Sequence, residues 1–168
     1  MINVLLIESD SMARKLIEIY LSKNEKTNLV SSISEISKIK QICVTGKIDL
    51  VVVDTCEGMN FTGFDVARII KEQFPKIKII MITKMPECSY ISRAKAVKID
   101  SFWYKSSDEY ELFNIIDLTM QGKSVYPLTT PVVKLGRALS DSFTKRELEV
   151  LREVVSGKMD AQIAEKLY

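Results

Sequence analysis

At 168 residues, 46% hydrophobic and 27% charged, the chain has the make-up of a globular protein, with room for one domain and a fragment or for one large domain. A formal net charge of +2 creates no strong field toward nucleic acid, and the split is even: residues 1–121 carry 16 basic and 16 acidic side chains, residues 122–168 carry 8 and 6. The sequence has no histidine, which excludes Ser-His-Asp and Cys-His nucleophile pairs and any imidazole metal site.

The opening run Ile2-Asn3-Val4-Leu5-Leu6-Ile7 passes straight into Glu8 and Asp10. It is too short for a signal peptide or a membrane span, so the chain is expected to be cytoplasmic. Cys43, Cys56 and Cys88 are odd in number and far apart, and read as reduced thiols in such a compartment. Five strands are predicted at residues 4–7, 28–31, 49–53, 77–82 and 101–104. The third and fourth are almost unbroken apolar runs, as expected of parallel strands covered on both faces.

Between the strands the period changes to that of helices. Met12, Leu16, Ile19 and Tyr20 mark the first, and Ile33, Ile36, Ile39 and Ile42 mark a less regular second. Phe64, Ala67, Ile70 and Phe74 mark a third, which ends before Pro75. Residues 87–97 and 107–121 supply two more. Five strand–helix units in about 120 residues predict an α/β fold, a five-stranded doubly wound parallel sheet with right-handed crossovers.

After Gln121 the texture changes. Gly122, Pro127, Pro131 and Gly136 interrupt residues 122–140, which read as a linker. Thr144 and Glu147 then have the spacing of a capping box at the start of a helix, which runs to Ser156 and is stopped by Gly157. Another helix begins near Asp160. The predicted organisation is a domain over 1–121, a linker over 122–140 and a helical fragment over 141–168.

In an open parallel sheet, ligands bind beyond the carboxyl ends of the strands. Those ends hold Glu8, Ser9 and Asp10 after the first strand, Asp54 after the third, Thr83 after the fourth and Lys105 after the fifth. Carboxylates suit a hard cation such as Mg²⁺, while a hydroxyl and an ammonium suit phosphoryl oxygens. Asp54 ends a buried apolar strand, where an unpaired carboxylate is costly, and so is the strongest site candidate. The plainer reading of Asp10 is a helix cap, and that reading is preferred to metal binding. Phe102, Trp103 and Tyr104 are core residues by default.

The residues Glu8, Asp54, Thr83 and Lys105, with Phe102 three positions before the lysine, resemble the pattern of two-component response regulator receivers. The tail is similar to that of the NarL/FixJ family: Gly122-Lys123-Ser124-Val125-Tyr126-Pro127 matches its linker. Thr144 to Leu151, then Gly157 and Ile163-Ala164-Glu165-Lys166-Leu167, matches the opening of a LuxR-type helix-turn-helix. The resemblance implies a transcriptional regulator, not an enzyme, in which a sensor histidine kinase phosphorylates Asp54. It implies Mg²⁺ in an acidic pocket of Glu8 and Asp54, with Asp10 as a further candidate. Thr83, Lys105 and Phe102 would be the phosphoryl-binding and switch residues. A homodimer is implied, through helices one and five or four and five. The recognition helix is missing from this chain, so no residue here is expected to read DNA, which the full-length form would bind.

Two departures from the family bear on mechanism. Ser9 stands where the family has a second acid, a weaker and uncharged metal ligand. The loop from Thr55 to Gly63 is one residue longer than usual and lacks a Met-Pro step. (Ser106, after Lys105, replaces a proline that related regulators often lack too.) A phosphorylated receiver and a pseudo-receiver governed by protein partners or a ligand both remain open. Other classes fare worse: a flavodoxin-like protein needs a phosphate loop where Glu8-Ser9-Asp10 puts negative charge, and the glycine-rich loop of nucleotide hydrolases is absent.

Overall fold

The computed structural model describes every residue except 57–60, 88, 106–108, 133, 136–137, 140–141, 156 and 168. Two compact units emerge, Met1–Thr129 and Thr130–Tyr168.

The first unit alternates strand and helix: β1 (Ile2–Ile7), α1 (Ser11–Lys23), β2 (Thr27–Ile33), α2 (Ile39–Thr45) and β3 (Leu50–Asp54). It continues with α3 (Gly63–Gln73), β4 (Lys78–Thr83), α4 (Tyr90–Ala96), β5 (Ser101–Tyr104) and α5 (Glu109–Met120). All strand pairs are parallel, in the order β2-β1-β3-β4-β5. The predicted doubly wound sheet is therefore present. Alternation within the strands divides the core in two. Leu5, Ile7, Val51, Val53, Ile79, Met81, Phe102 and Tyr104 pack with residues of α2, α3 and α4. Val4, Leu6, Leu50, Val52, Ile80, Ile82 and Trp103 pack with α1 and α5. Both faces of β3 and β4 are buried, which explains their unbroken apolar runs.

Local chemistry sets the helix starts. Asp10 caps α1 by accepting from the Met12 and Ala13 N–H groups, at 2.9 and 3.0 Å. Thr62 and Asp65 form a reciprocal capping box on α3, although neither was singled out in the sequence. The face of α1 differs from expectation. Ile17 and Leu21 are the buried residues, whereas Met12, Leu16 and Ile19 are exposed. The apolar period locates the helix but cannot choose between two apolar stripes. Helix α2 begins at Ile39, and Ile33, expected in that helix, is the last residue of β2.

The chain after α5 lies along β5. Val125 accepts the Phe102 N–H at 2.8 Å, and its own N–H donates to Ser101 Oγ at 3.0 Å. Ser101 in turn meets the buried Thr119 hydroxyl at 2.7 Å. The Tyr126 hydroxyl donates to Ile99 O, and Lys95 sits 5.2 Å from the centre of the Tyr126 ring. Burial, with the Asp100 carboxylate nearby, pushes the Tyr126 phenol up to about 12.

In the second unit, the stretch read as linker contains a short antiparallel pair, β6 (Lys134–Leu135) with β7 (Ala138–Leu139). Helices α6 (Lys145–Val155) and α7 (Asp160–Leu167) follow. The Thr144–Glu147 capping box is formed, with the Thr144 N–H 2.7 Å from Glu147 Oε2 and the Glu147 N–H 3.2 Å from Thr144 Oγ1. Gly157 adopts a positive φ of 80°, which a glycine past a helix end supplies without strain. Glu153 on α6 pairs with Lys158 and with Lys166 on α7.

Candidate functional site

The carboxyl ends of β1, β3, β4 and β5 surround an open cavity of ≈ 370 Å³ lined by Glu8, Ser9, Asp10, Asp54, Thr55, Thr83, Lys84, Met85 and Lys105. Four site residues named from the sequence, Glu8, Asp54, Thr83 and Lys105, thus meet at one place.

Lys105 is the centre of the cluster. Its Nζ lies 2.5 Å from Glu8 Oε2 and 2.7 Å from Asp54 Oδ1, with only 12% of the side chain exposed. Burial alone would lower its pKa, but the charges and hydrogen bonds of Asp54 and Glu8 outweigh burial and raise it. Glu8 is fully buried. Burial raises its pKa, and the Asp54 charge adds to this, against the opposing hydrogen bond from Lys105. Its second oxygen, Oε1, accepts the Asp10 N–H at 2.9 Å.

Backbone contacts fix the loops. The Lys105 N–H donates to Thr83 O at 2.8 Å, and the Thr55 N–H donates to Ile82 O at 3.1 Å. Asp54 Oδ2 accepts the Cys56 N–H at 2.7 Å, which holds Cys56 at a φ of 52°, strained for a side-chain-bearing residue. Gly63 opens α3 hard against this turn. A Cβ there would lie 2.0 Å from Asp54 O, so the close approach requires glycine.

Cys56 is buried, and burial, together with the Asp54 and Glu8 charges, pushes its thiol up to about 12, while a hydrogen bond with Ser9 opposes the shift. The thiol is therefore a poor nucleophile. Ser9, in the acid's usual place, lines the cavity. Asp10 stays on its cap: the Ala13 and Met12 N–H groups hold its carboxyl below the usual range, and Lys84 Nζ is 3.7 Å away. Phe102 is fully buried, edge-on to Tyr104 at 5.2 Å, and does not line the cavity. Thr83 Oγ1 accepts the Met85 N–H at 3.0 Å and lies 3.0 Å from Thr55 Oγ1. Thr55 was overlooked in the sequence, although a hydroxyl directly after Asp54 was there to be seen. The altered loop at 57–60, Cys88 and Ser106 fall outside the described residues.

Mg²⁺ asks for hard oxygen ligands, and commonly takes only one or two protein carboxylates, completing its shell with water and phosphate oxygens. Glu8 and Asp54, facing an open cavity, fit that requirement. Among the described residues, no group of three or more acids or cysteines is placed to hold a metal.

Residues 4–117 match the response regulator receiver domain family. The chain belongs to that family. This response regulator also matches, over residues 141–168, the LuxR family of bacterial regulatory proteins. It is 25% identical to the Fimbriae Z protein of Escherichia coli K12 over 98% of this chain and 81% of that protein. It is 28% identical to the response regulator VraR of Staphylococcus aureus Mu3, over 97% and 80%. The fold matches the receiver domain of RcsB from Salmonella enterica serovar Typhimurium, solved with the phosphomimetic BeF₃⁻. That match has a TM-score of 0.68 at 18% identity, covering 76% of this chain and 94% of that one. A structure of RcsB dimers bound to DNA matches with a TM-score of 0.69 at 22% identity, over 99% and 82%. The chain is thus a regulator with a receiver domain and a LuxR-type DNA-binding segment.

Proposed function

We propose that this regulator is switched by phosphorylation of Asp54 by a sensor histidine kinase. The observation that carries the reading is the buried Glu8–Lys105–Asp54 cluster, which lines a cavity at the ends of the strands. In the transfer, an Asp54 carboxylate oxygen attacks phosphorus. The bond from phosphorus to the kinase histidine nitrogen breaks, and the leaving imidazole takes up a proton. Lys105, already against Asp54, holds a phosphoryl oxygen, and Thr83 offers its hydroxyl. Glu8 and Asp54 would hold Mg²⁺, which supplies charge neutralisation for the transferred group. Phosphate on Asp54 competes for Lys105 and loosens its contact with Glu8, which is how the strand ends would sense it.

Cytoplasmic location belongs to the same reading, in keeping with the lack of any helix among the described residues long and apolar enough to cross a membrane. The regulator would work as a homodimer on DNA in its full-length form. Met12, Leu16 and Ile19 on α1 and Tyr110 on α5 are large exposed apolar residues suited to a second copy. Sedimentation of Leu16→Glu beside the wild type checks this, with loss of dimer expected.

The experiment is intact-protein mass after incubation with acetyl phosphate and Mg²⁺, run beside Asp54→Ala. One phosphate adduct, absent in the variant, is expected. Ser9 favours a second reading, a pseudo-receiver controlled by a protein partner or ligand without phosphate. Under the first reading, Ser9→Asp should tighten Mg²⁺ binding about tenfold, seen by Trp103 fluorescence. No adduct in either wild type or Ser9→Asp would leave the second reading standing.

A further inference from the structure

The Thr55–Thr83 hydroxyl pair sits at the cavity wall, and its protons can be counted. Both side chains are buried, at 2% and 1% exposure, and their oxygens are 3.0 Å apart. Thr83 Oγ1 already accepts the Met85 N–H at 3.0 Å. Each hydroxyl has one proton to give and two lone pairs to receive. If Thr83 donated to Thr55, the Thr55 proton would turn into the cavity that Thr55 also lines, and Thr83 would have no proton to offer a group held there. If Thr55 donates to Thr83, both lone pairs of Thr83 are filled by Met85 and Thr55. The Thr83 proton then has one direction left, toward the cavity that Thr83 and Asp54 both line.

We propose that Thr55 is a positioning residue: its hydroxyl donates to Thr83 Oγ1 and so aims the Thr83 proton at the phosphoryl group carried by Asp54. The inference rests on the reading that Asp54 is the phosphoacceptor. Among the described residues, the contact that Thr55 makes through its hydroxyl is with Thr83 Oγ1. Its backbone is fixed independently, with the N–H on Ile82 O and the carbonyl accepting the Gly63 N–H at 2.7 Å. A side-chain change at 55 therefore leaves the loop tied and removes only the orienting donor.

The test compares wild type, Thr55→Val, Thr55→Ser, Thr83→Ala and the Thr55→Val/Thr83→Ala double variant in the full chain. The rate of Asp54 phosphorylation by acetyl phosphate with Mg²⁺ is followed by mass. Losing one orienting hydrogen bond should slow Thr55→Val roughly three- to tenfold. Thr55→Ser should restore the rate, and Thr55→Val should add nothing once Thr83 is alanine. A Thr55→Val rate equal to wild type, or a loss that persists in full on the Thr83→Ala background, overturns the proposal. No adduct on wild type would instead sink the phosphoacceptor reading. The hydroxyl protons then decide, read by NMR exchange in phosphate-free protein. A slowly exchanging Thr55 hydroxyl proton beside a fast-exchanging Thr83 one supports the orienting bond; the reverse overturns it.

Discussion

Helices α3 and α6 have the same length and start with the same device, a threonine–acid capping box, yet one is core and the other is surface. Helix α3 buries Gly63, Phe64, Val66, Ala67 and Ile70 against the sheet. On α6, Val150, Leu151, Val154 and Val155 are all exposed, and among the described residues of the second unit the buried side chain is Ile163 on α7. The caps satisfy the same orphan N–H groups in both cases. What differs is the partner surface: a five-stranded sheet in one unit, a single short helix in the other. Local sequence starts a helix, and tertiary packing supplies most of its stability.

The largest test of that contrast is a pair of truncations. Ile80→Ala, in the fully buried middle of β4, should lower the unfolding free energy by about 3 kcal/mol in urea melts followed by Trp103 fluorescence. Val154→Ala, half-exposed on α6, should change it by less than about 0.5 kcal/mol. An equal loss at both positions would break the contrast.

A carboxylate gripped by two lysines occurs in each unit, and the two should behave differently. Asp100 meets Lys71 at 2.5 Å, Lys78 at 3.0 Å and the Ile79 N–H at 2.8 Å, with 15% of its side chain exposed. Burial pulls its pKa up, but Lys71, the Ile79 N–H and Lys78 together hold it below the usual carboxylate range. A depressed carboxylate stabilises the fold above its unfolded pKa, and that contribution disappears as the pH falls through the lower folded value. Asp100→Asn should therefore cost about 2 kcal/mol at neutral pH. The gap between variant and wild type should close below about pH 4, as pH-dependent urea melts would show. Glu153→Gln, in the second unit, should leave the receiver's transition where it was.

The smallest effect concerns the caps. Thr62→Ala should lower receiver stability by about 1 kcal/mol. Thr144→Ala should leave the receiver transition unmoved and speed hydrogen exchange only in the first turn of α6. A shift of the receiver transition by Thr144→Ala would show that the units unfold together.

Much of this was legible in the sequence. The apolar runs of β3 and β4 announced a sheet covered on both faces, and the strand-end rule brought Glu8, Asp54, Thr83 and Lys105 to one edge before any coordinates. Periodicity failed on α1, because Met12, Leu16 and Ile19 repeat as regularly as Ile17 and Leu21. It could not show that Lys105 would take both Glu8 and Asp54, since pairing across three loops is decided by loop paths. Thr55 escaped because an adjacent hydroxyl matters only once its side chain is seen to turn toward Thr83. The β6–β7 pair escaped because two-residue strands leave no period to read.

The strap of chain along β5 bears on where the receiver can be cut. A fragment ended after Gln121 would strip Val125 and Tyr126 from the sheet edge. The Phe102 N–H would lose its acceptor, and Ile99 and Lys95 would lose the tyrosine between them. Such a fragment would present a bare strand edge, the kind of surface on which chains pair and aggregate. A receiver meant to stay monodisperse in the tube should keep its chain through Tyr126.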